Sequence, residues 1–228
     1  MLMISGLLLL VAAGSQSIRE EVFDLTDGNK LRYTVAAPQV GMHNEPRPVV
    51  LALHYGWRGP FPVDYGKNYL AQLVLSGLPD LGASIVAPNC PAERWTDPAT
   101  ERVVLELLDH VIERYSADPD RVVLTGYSLG GMGTWYLSAR HPDRFSAAVL
   151  VSARPDGSDD VEVPLYVIHS RADELLPIGS TEQAVVALQQ KGRDVTLVAL
   201  DGLTHYQTGN FVPALREAVK WIQGTWKQ

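Results

Sequence analysis

The chain has 228 residues, a formal net charge of −7, 46% apolar residues and 20% charged ones, which describes a folded globular chain and excludes a disordered one. No basic stripe accompanies the acidic balance, so no nucleic-acid partner and no adhesion to anionic lipid is expected. The single cysteine, Cys90, excludes an intramolecular disulfide, and no Cys/His cluster has zinc spacing, so no metal centre is expected.

Residues 1–13 are nearly all apolar, and the first charged residue is Arg19. The run is too short to span a bilayer, which takes about 20 residues, so no stable membrane insertion is expected. It has the length of a signal-peptide core, and Ala12-Ala13-Gly14 supplies small residues at a cleavage position, although no Lys or Arg precedes the run. Residues 1–16 are therefore read as an export signal, giving a secreted or periplasmic protein. The alternatives, an apolar first strand or a misassigned start, would leave it cytoplasmic. Residues 17–228 are read as one domain.

Segments 20–27 and 30–36 are rich in β-branched and aromatic residues, and Asp27-Gly28-Asn29 between them reads as a hairpin turn. Segment 48–54 is a continuous apolar run, as suits a strand buried on both faces. Strand-like runs then recur at 83–87, 121–126, 145–152, 164–169 and 194–200, separated by helical stretches at 65–76, 100–115, 130–140, 180–190 and 212–226. In the stretch 100–115, Val103, Val104, Leu107, Leu108, Val111 and Ile112 fall on one face. Ser180-Thr181-Glu182 has the pattern of a capped helix start. This alternation predicts a doubly wound, mostly parallel sheet with an N-terminal antiparallel hairpin and no large cap domain. Ligands of such sheets bind beyond the carboxyl ends of the strands, so functional residues are sought there.

The most informative stretch runs from Val122 through Gly126-Tyr127-Ser128-Leu129-Gly130-Gly131: a strand, then Gly-x-Ser-x-Gly, then a helix start. A serine in so sharp a strand-to-helix turn needs glycines two residues away on either side, because side chains there would collide. The turn lifts the hydroxyl clear of the sheet and presents the N–H of Leu129 to a developing oxyanion. Ser128 is thus the candidate nucleophile. Of the three histidines downstream, His141 sits near the end of the following helix, where a cation suits the dipole. His169 ends a strand, and His205 lies between the last strand and the last helix, which makes it the candidate base. The acid belongs after the strand 164–169, where Asp173 and Glu174 both qualify by chemistry. Asp156, Asp159 and Asp160 follow another strand and read as a solvated loop.

Gly126-Tyr127-Ser128-Leu129-Gly130-Gly131-Met132-Gly133-Thr134-Trp135, followed by His141-Pro142-Asp143-Arg144-Phe145, resembles the elbow region of small esterases of the α/β-hydrolase superfamily. These are the phospholipase/carboxylesterase, dienelactone-hydrolase-like and polyhydroxybutyrate-depolymerase-like groups. The segment from His169 to Pro177 is similar to their His-Gly-x-x-Asp-x-x-Val-Pro acid segment, with Ser170 for Gly and Leu176 for Val; the resemblance favours Asp173 as the acid. Gly202-Leu203-Thr204-His205 resembles their Gly-x-x-His base segment. Leu53-His54-Tyr55-Gly56 resembles their oxyanion loop, with Tyr55 where Gly is commoner, so the second oxyanion donor is the N–H of Tyr55 or of Gly56. The resemblance spans about residues 47–225 and is specific for fold and triad rather than for substrate.

Large residues collect after the strands. Trp57, Trp95, Tyr127, Leu176 and Tyr206 are the candidate lining of an apolar or aromatic substrate pocket, with Phe61, Tyr65 and Leu175 nearby. Arg58, Arg94, Arg154 and Arg171 also follow strands; they read as surface ion pairs more readily than as a site for a carboxylate-bearing substrate. The irregular stretches 56–64 and 89–98 are expected to form the rim of an open cleft. The expected activity is hydrolysis of a small-molecule carboxylic ester through a Ser128–His205–Asp173 triad and an acyl-enzyme, needing no cofactor. A peptidase or thioesterase would use the same residues, and a non-catalytic ligand-binding domain on the same fold is the rival of another class. The sequence leaves the oligomeric state open.

Overall fold

A computed structural model describes residues 17–37, 45–56, 65–157 and 160–226. Residues 1–16, where the export signal is expected, and Trp57, Arg58, Phe61 and Asp159 lie outside the described residues.

Strands β1 (Ser17–Asp24) and β2 (Lys30–Ala37) pair antiparallel, with Asp24 opposite Lys30. The expected three-residue turn is a five-residue one. Leu25 N–H donates to the Asn29 carbonyl at 2.8 Å, Gly28 takes φ 83°, and buried Leu25 anchors the loop to the core. Burying Leu25 beneath the turn ends the strand at Asp24, short of the expected 27. β1 alternates exposed and half-buried positions, as an edge strand does.

β3 (Arg47–Leu53), β4 (Ser84–Pro88), β5 (Ala117–Tyr127), β6 (Ala147–Val151), β7 (Leu165–Ser170) and β8 (Val195–Leu200) complete an eight-stranded sheet in the order β1-β2-β4-β3-β5-β6-β7-β8. β2 meets β4 antiparallel and every later pairing is parallel. The continuous apolar runs sit where the argument from burial requires: β4, β6 and β7 are buried along their whole length.

Helices cover both faces. On one face α3 (Pro98–Arg114), α4 (Leu129–Arg140) and α5 (Gly179–Gln190) bury Val104, Leu107, Trp135 and Leu188 against the sheet. On the other, α1 (Tyr65–Tyr69), a π-helical turn (Leu70–Val74) and α2 (Leu75–Gly77) pack with α6 (Val212–Thr225) through Leu70, Leu73, Leu215 and Ile222. The stretch 65–76 is therefore helical as expected, but interrupted by a wider turn in which the Leu75 N–H reaches back to the Leu70 carbonyl. Asp97 caps α3, accepting from the Ala99 and Thr100 N–H groups ahead of Pro98. The expected cap at Ser180 is not made: α5 begins at Gly179 after Ile178, and the Thr181 hydroxyl instead donates to the Ala153 carbonyl at 2.9 Å. Among the described residues no helix is long and apolar enough to cross a membrane.

Candidate active site

Ser128 stands between β5 and α4 with φ 54° and ψ −116°, a left-handed conformation that costs a non-glycine residue about 1–3 kcal/mol. The surrounding packing enforces it. A Cβ on Gly126 would lie 2.2 Å from the Gly130 carbonyl, and one on Gly130 would lie 1.9 Å from the Leu53 carbonyl oxygen. The turn therefore closes only with hydrogen at both positions. The Ser128 N–H is tied to the Val151 carbonyl at 2.9 Å, which fixes the turn to the neighbouring strand.

The loops after β7 and β8 bring Asp173 and His205 to this serine. His205 Nε2 lies 2.9 Å from Ser128 Oγ, and His205 Nδ1 lies 2.8 Å from Asp173 Oδ2. His205 and Asp173 are both buried. With the carboxylate ionised, Nδ1 carries the proton and donates to Asp173, leaving the Nε2 lone pair facing the serine hydroxyl. Asp173 Oδ1 accepts the N–H groups of Leu175 and Leu176 at 3.1 and 2.7 Å. Burial alone would raise its pKa, but the Leu176 N–H and His205 outweigh that and hold the carboxyl below its ordinary value.

Glu174, the other carboxylate of this loop, faces the backbone of the base. Its Oε2 accepts the His205 N–H at 2.9 Å, while the Tyr127 hydroxyl donates to the His205 carbonyl at 2.6 Å. The main chain of His205 is thus held on both sides. His169 is fully buried; its Nε2 donates to the Leu176 carbonyl at 2.8 Å and stands 3.3 Å from Asp173 Oδ2. It braces the acid loop. His141 pairs with Glu101 at 2.6 Å, beside Arg140, at the far end of α4.

The loop after β3 lies against the start of α4. A Cβ on Gly56 would sit 3.4 Å from Leu129 Cδ2, so Gly56 and Leu129 are neighbours, and the Leu129 N–H belongs to the first turn of α4, whose amides lack intrahelical acceptors. His54 clamps this loop. Its Nδ1–H donates to the Tyr55 carbonyl at 2.8 Å, its Nε2 accepts the Cys90 N–H at 3.0 Å, and its carbonyl accepts the Trp95 indole N–H at 2.9 Å. Burial pushes the imidazole pKa down to about 4, which keeps it neutral in this role. The Cys90 thiol is buried and pushed up to about 12, which removes thiolate chemistry.

The expected pocket lining is largely displaced. Trp95 is fully buried, its Cβ filling the space that a side chain on Gly133 would need, so it anchors the otherwise largely exposed stretch after β4 to the core instead of facing a ligand. Tyr127 is buried too, its hydroxyl committed to His205. Leu176 contributes its backbone to Asp173 and His169. Tyr206 does border a crevice beside His205, together with Tyr55. Gln72, Gln207, Thr208, Gly209 and Asn210 complete that crevice; they carry no apolar signal in the sequence, where polar residues on a helix face or loop read as solvated surface. Arg94, Arg154 and Arg171 do not line it; Arg171 leans on the Ala199 carbonyl and Asp201. Asp160 is engaged by Arg193 at 2.9 Å.

Residues 50–177 match the family model described as the alpha/beta hydrolase fold. The chain belongs to that family. It is 23% identical over 195 residues to a putative carboxymethylenebutenolidase of Aquifex aeolicus, covering 78% of this chain and 82% of the relative. A thermostable esterase superposes with a TM-score of 0.72 at 22% identity, over 91% of this chain and 62% of that one. A puromycin-hydrolyzing peptidase of Mycobacterium tuberculosis gives 0.74 at 16% identity, over 92% of this chain and 39% of that one. The α/β-hydrolase chain described here thus spans less than two thirds of either structural neighbour, and at these identities the likeness is one of fold.

Proposed function

We propose that this α/β-hydrolase is a serine hydrolase that cleaves carboxylic esters through an acyl-enzyme. The observation that carries the reading is the chain of contacts from Ser128 Oγ through both nitrogens of His205 to Asp173, at 2.9 and 2.8 Å. His205 Nε2 takes the hydroxyl proton as Ser128 Oγ attacks the ester carbonyl. The N–H of Leu129, with that of Tyr55 or Gly56, receives the oxyanion. As the tetrahedral adduct collapses, the bond to the alcohol oxygen breaks and the His205 imidazolium protonates that oxygen. Water, deprotonated by His205, then releases the acid and restores the serine. Asp173, held as an anion, keeps the His205 proton on Nδ1 and stabilises the transient imidazolium.

The test is hydrolysis of p-nitrophenyl acetate, butyrate and octanoate, and of acetyl p-nitroanilide, by the wild type and Ser128→Ala. The expected result is ester turnover that falls by on the order of 10⁶ with the serine, and much slower anilide cleavage. Turnover that survives Ser128→Ala would overturn the reading. Anilide cleavage matching that of the esters would make the protein an amidase with the same machinery.

A further inference from the structure

Acylation requires that the departing alcohol oxygen lie within reach of His205 Nε2, which must return a proton to it. A crevice of about 410 Å³ opens beside His205, between the β3 loop, the π-helical turn and the loop leading to α6. Its lining chemistry is specific. Gln72 Oε1 accepts the Tyr55 hydroxyl at 2.8 Å, and Gln207 Oε1 accepts the Thr204 N–H at 2.8 Å. Each amide therefore has its acceptor engaged and its NH₂ donors without a protein partner among the described residues. The Asn210 side chain makes no hydrogen bond among them either. No carboxylate, guanidinium or ammonium lines the crevice, and Tyr206, 71% exposed, stands at its edge with its ring 5.7 Å from that of His205.

This lining selects against two kinds of alcohol. An alkyl chain would find little apolar wall to bury against, because Gln72, Gln207 and Asn210 are polar and exposed. An ionic group would find no counter-charge. A neutral polyol fits, since each hydroxyl both donates and accepts and the exposed tyrosine offers an apolar face with a polar tip. We infer that the alcohol half of the substrate is a carbohydrate, and that the enzyme removes acyl groups from sugar hydroxyls. The inference rests on the triad reading: water and the sugar ester give the free carboxylic acid and the free sugar hydroxyl, with the sugar oxygen taking its proton from His205.

The experiment compares kcat/KM of the full chain for monoacetylated methyl xylopyranoside, hexyl acetate and p-nitrophenyl acetate, with Gln72→Leu and Asn210→Leu beside the wild type. The sugar acetate is expected to exceed hexyl acetate by at least about tenfold. Each variant is expected to lower the ratio of sugar acetate to p-nitrophenyl acetate by about tenfold, the loss of one hydrogen bond to a bound hydroxyl. Covalent labelling of Ser128 by a fluorophosphonate reports that each variant is folded. Hexyl acetate equal to or better than the sugar acetate, or an unchanged ratio in both variants, overturns the inference while p-nitrophenyl acetate turnover leaves the triad intact. Failure of every ester together with failure of labelling overturns the triad reading itself.

Discussion

Asp173 is surrounded by donors, two backbone N–H groups on one oxygen and His205 on the other, with His169 Nε2 3.3 Å from the latter. Glu174, one residue on, accepts a backbone N–H from an exposed position. The two carboxylates therefore respond differently to substitution. Asp173→Asn keeps the size but lets the amide impose the wrong His205 tautomer, and on the proposed mechanism kcat is expected to fall by about 10⁴. Glu174→Gln retains an oxygen for the His205 N–H and is expected to cost no more than about tenfold. Single-turnover rates on p-nitrophenyl acetate decide it; equal losses would show that Glu174 shares the role of the acid. This distinction was not legible in the residues Asp173-Glu174 themselves. Both types fit the chemistry, the family resemblance favoured one, and the geometry separates them by which side of His205 each carboxylate reaches.

At the scale of elements, the site depends on how closely β3, β5 and α4 approach. Gly130 has no space for a methyl group, because the Leu53 carbonyl occupies it. Gly130→Ala must push α4 away from the end of β3, moving Leu129 relative to Gly56. We expect a cost of about 3 kcal/mol or more and a Tm lower by on the order of 10 °C, with turnover of p-nitrophenyl acetate reduced beyond the loss of stability. Thermal melts and fluorophosphonate labelling at a temperature where the variant is folded check both. A melt unchanged from the wild type would contradict the packing argument. The elbow could be found in the sequence because its steric demand is local and glycine is the sole residue that meets it. The five-residue hairpin turn and the π-helical turn carrying Gln72 could not, since each is decided by what packs beneath it: Leu25 in one case, the α6 interface in the other.

For the molecule as a whole, the His54 clamp links stability to pH. Burial lowers its pKa to about 4 in the folded chain, against an ordinary value near 6.5. The unfolded chain therefore binds an additional proton between those two values. The contribution is complete above pH 6.5 and is lost as pH falls through 4, on the order of 3 kcal/mol over the window. Asp173, depressed below its ordinary value, acts in the same direction at lower pH, its contribution disappearing as the carboxyl protonates. Urea unfolding at pH 7.0, 5.5 and 4.5 is expected to show the wild type losing stability across this range and His54→Asn, which lacks the titrating group, losing less. Parallel slopes would remove His54 from the account. The wild-type loss of stability arises where the β3 loop joins the segment after β4, so activity is expected to decline before the whole chain unfolds.

The sequence by itself determined the strand and helix order and the elbow, because hydrophobic periodicity and the glycines around Ser128 are properties of neighbouring residues. It also placed His205 and the acid pair after β8 and β7, whose carboxyl ends lie on one edge because β3 to β8 run parallel. The tertiary structure alone decided which large residues face ligand and which face the core. Trp95 and Tyr127 look like a pocket in the sequence, but the space under α4 and the carbonyl of His205 claim them. The crevice is instead built from Gln72, Gln207 and Asn210, whose meeting depends on two segments more than a hundred residues apart, the π-helical turn and the loop before α6, being carried to one place by the fold.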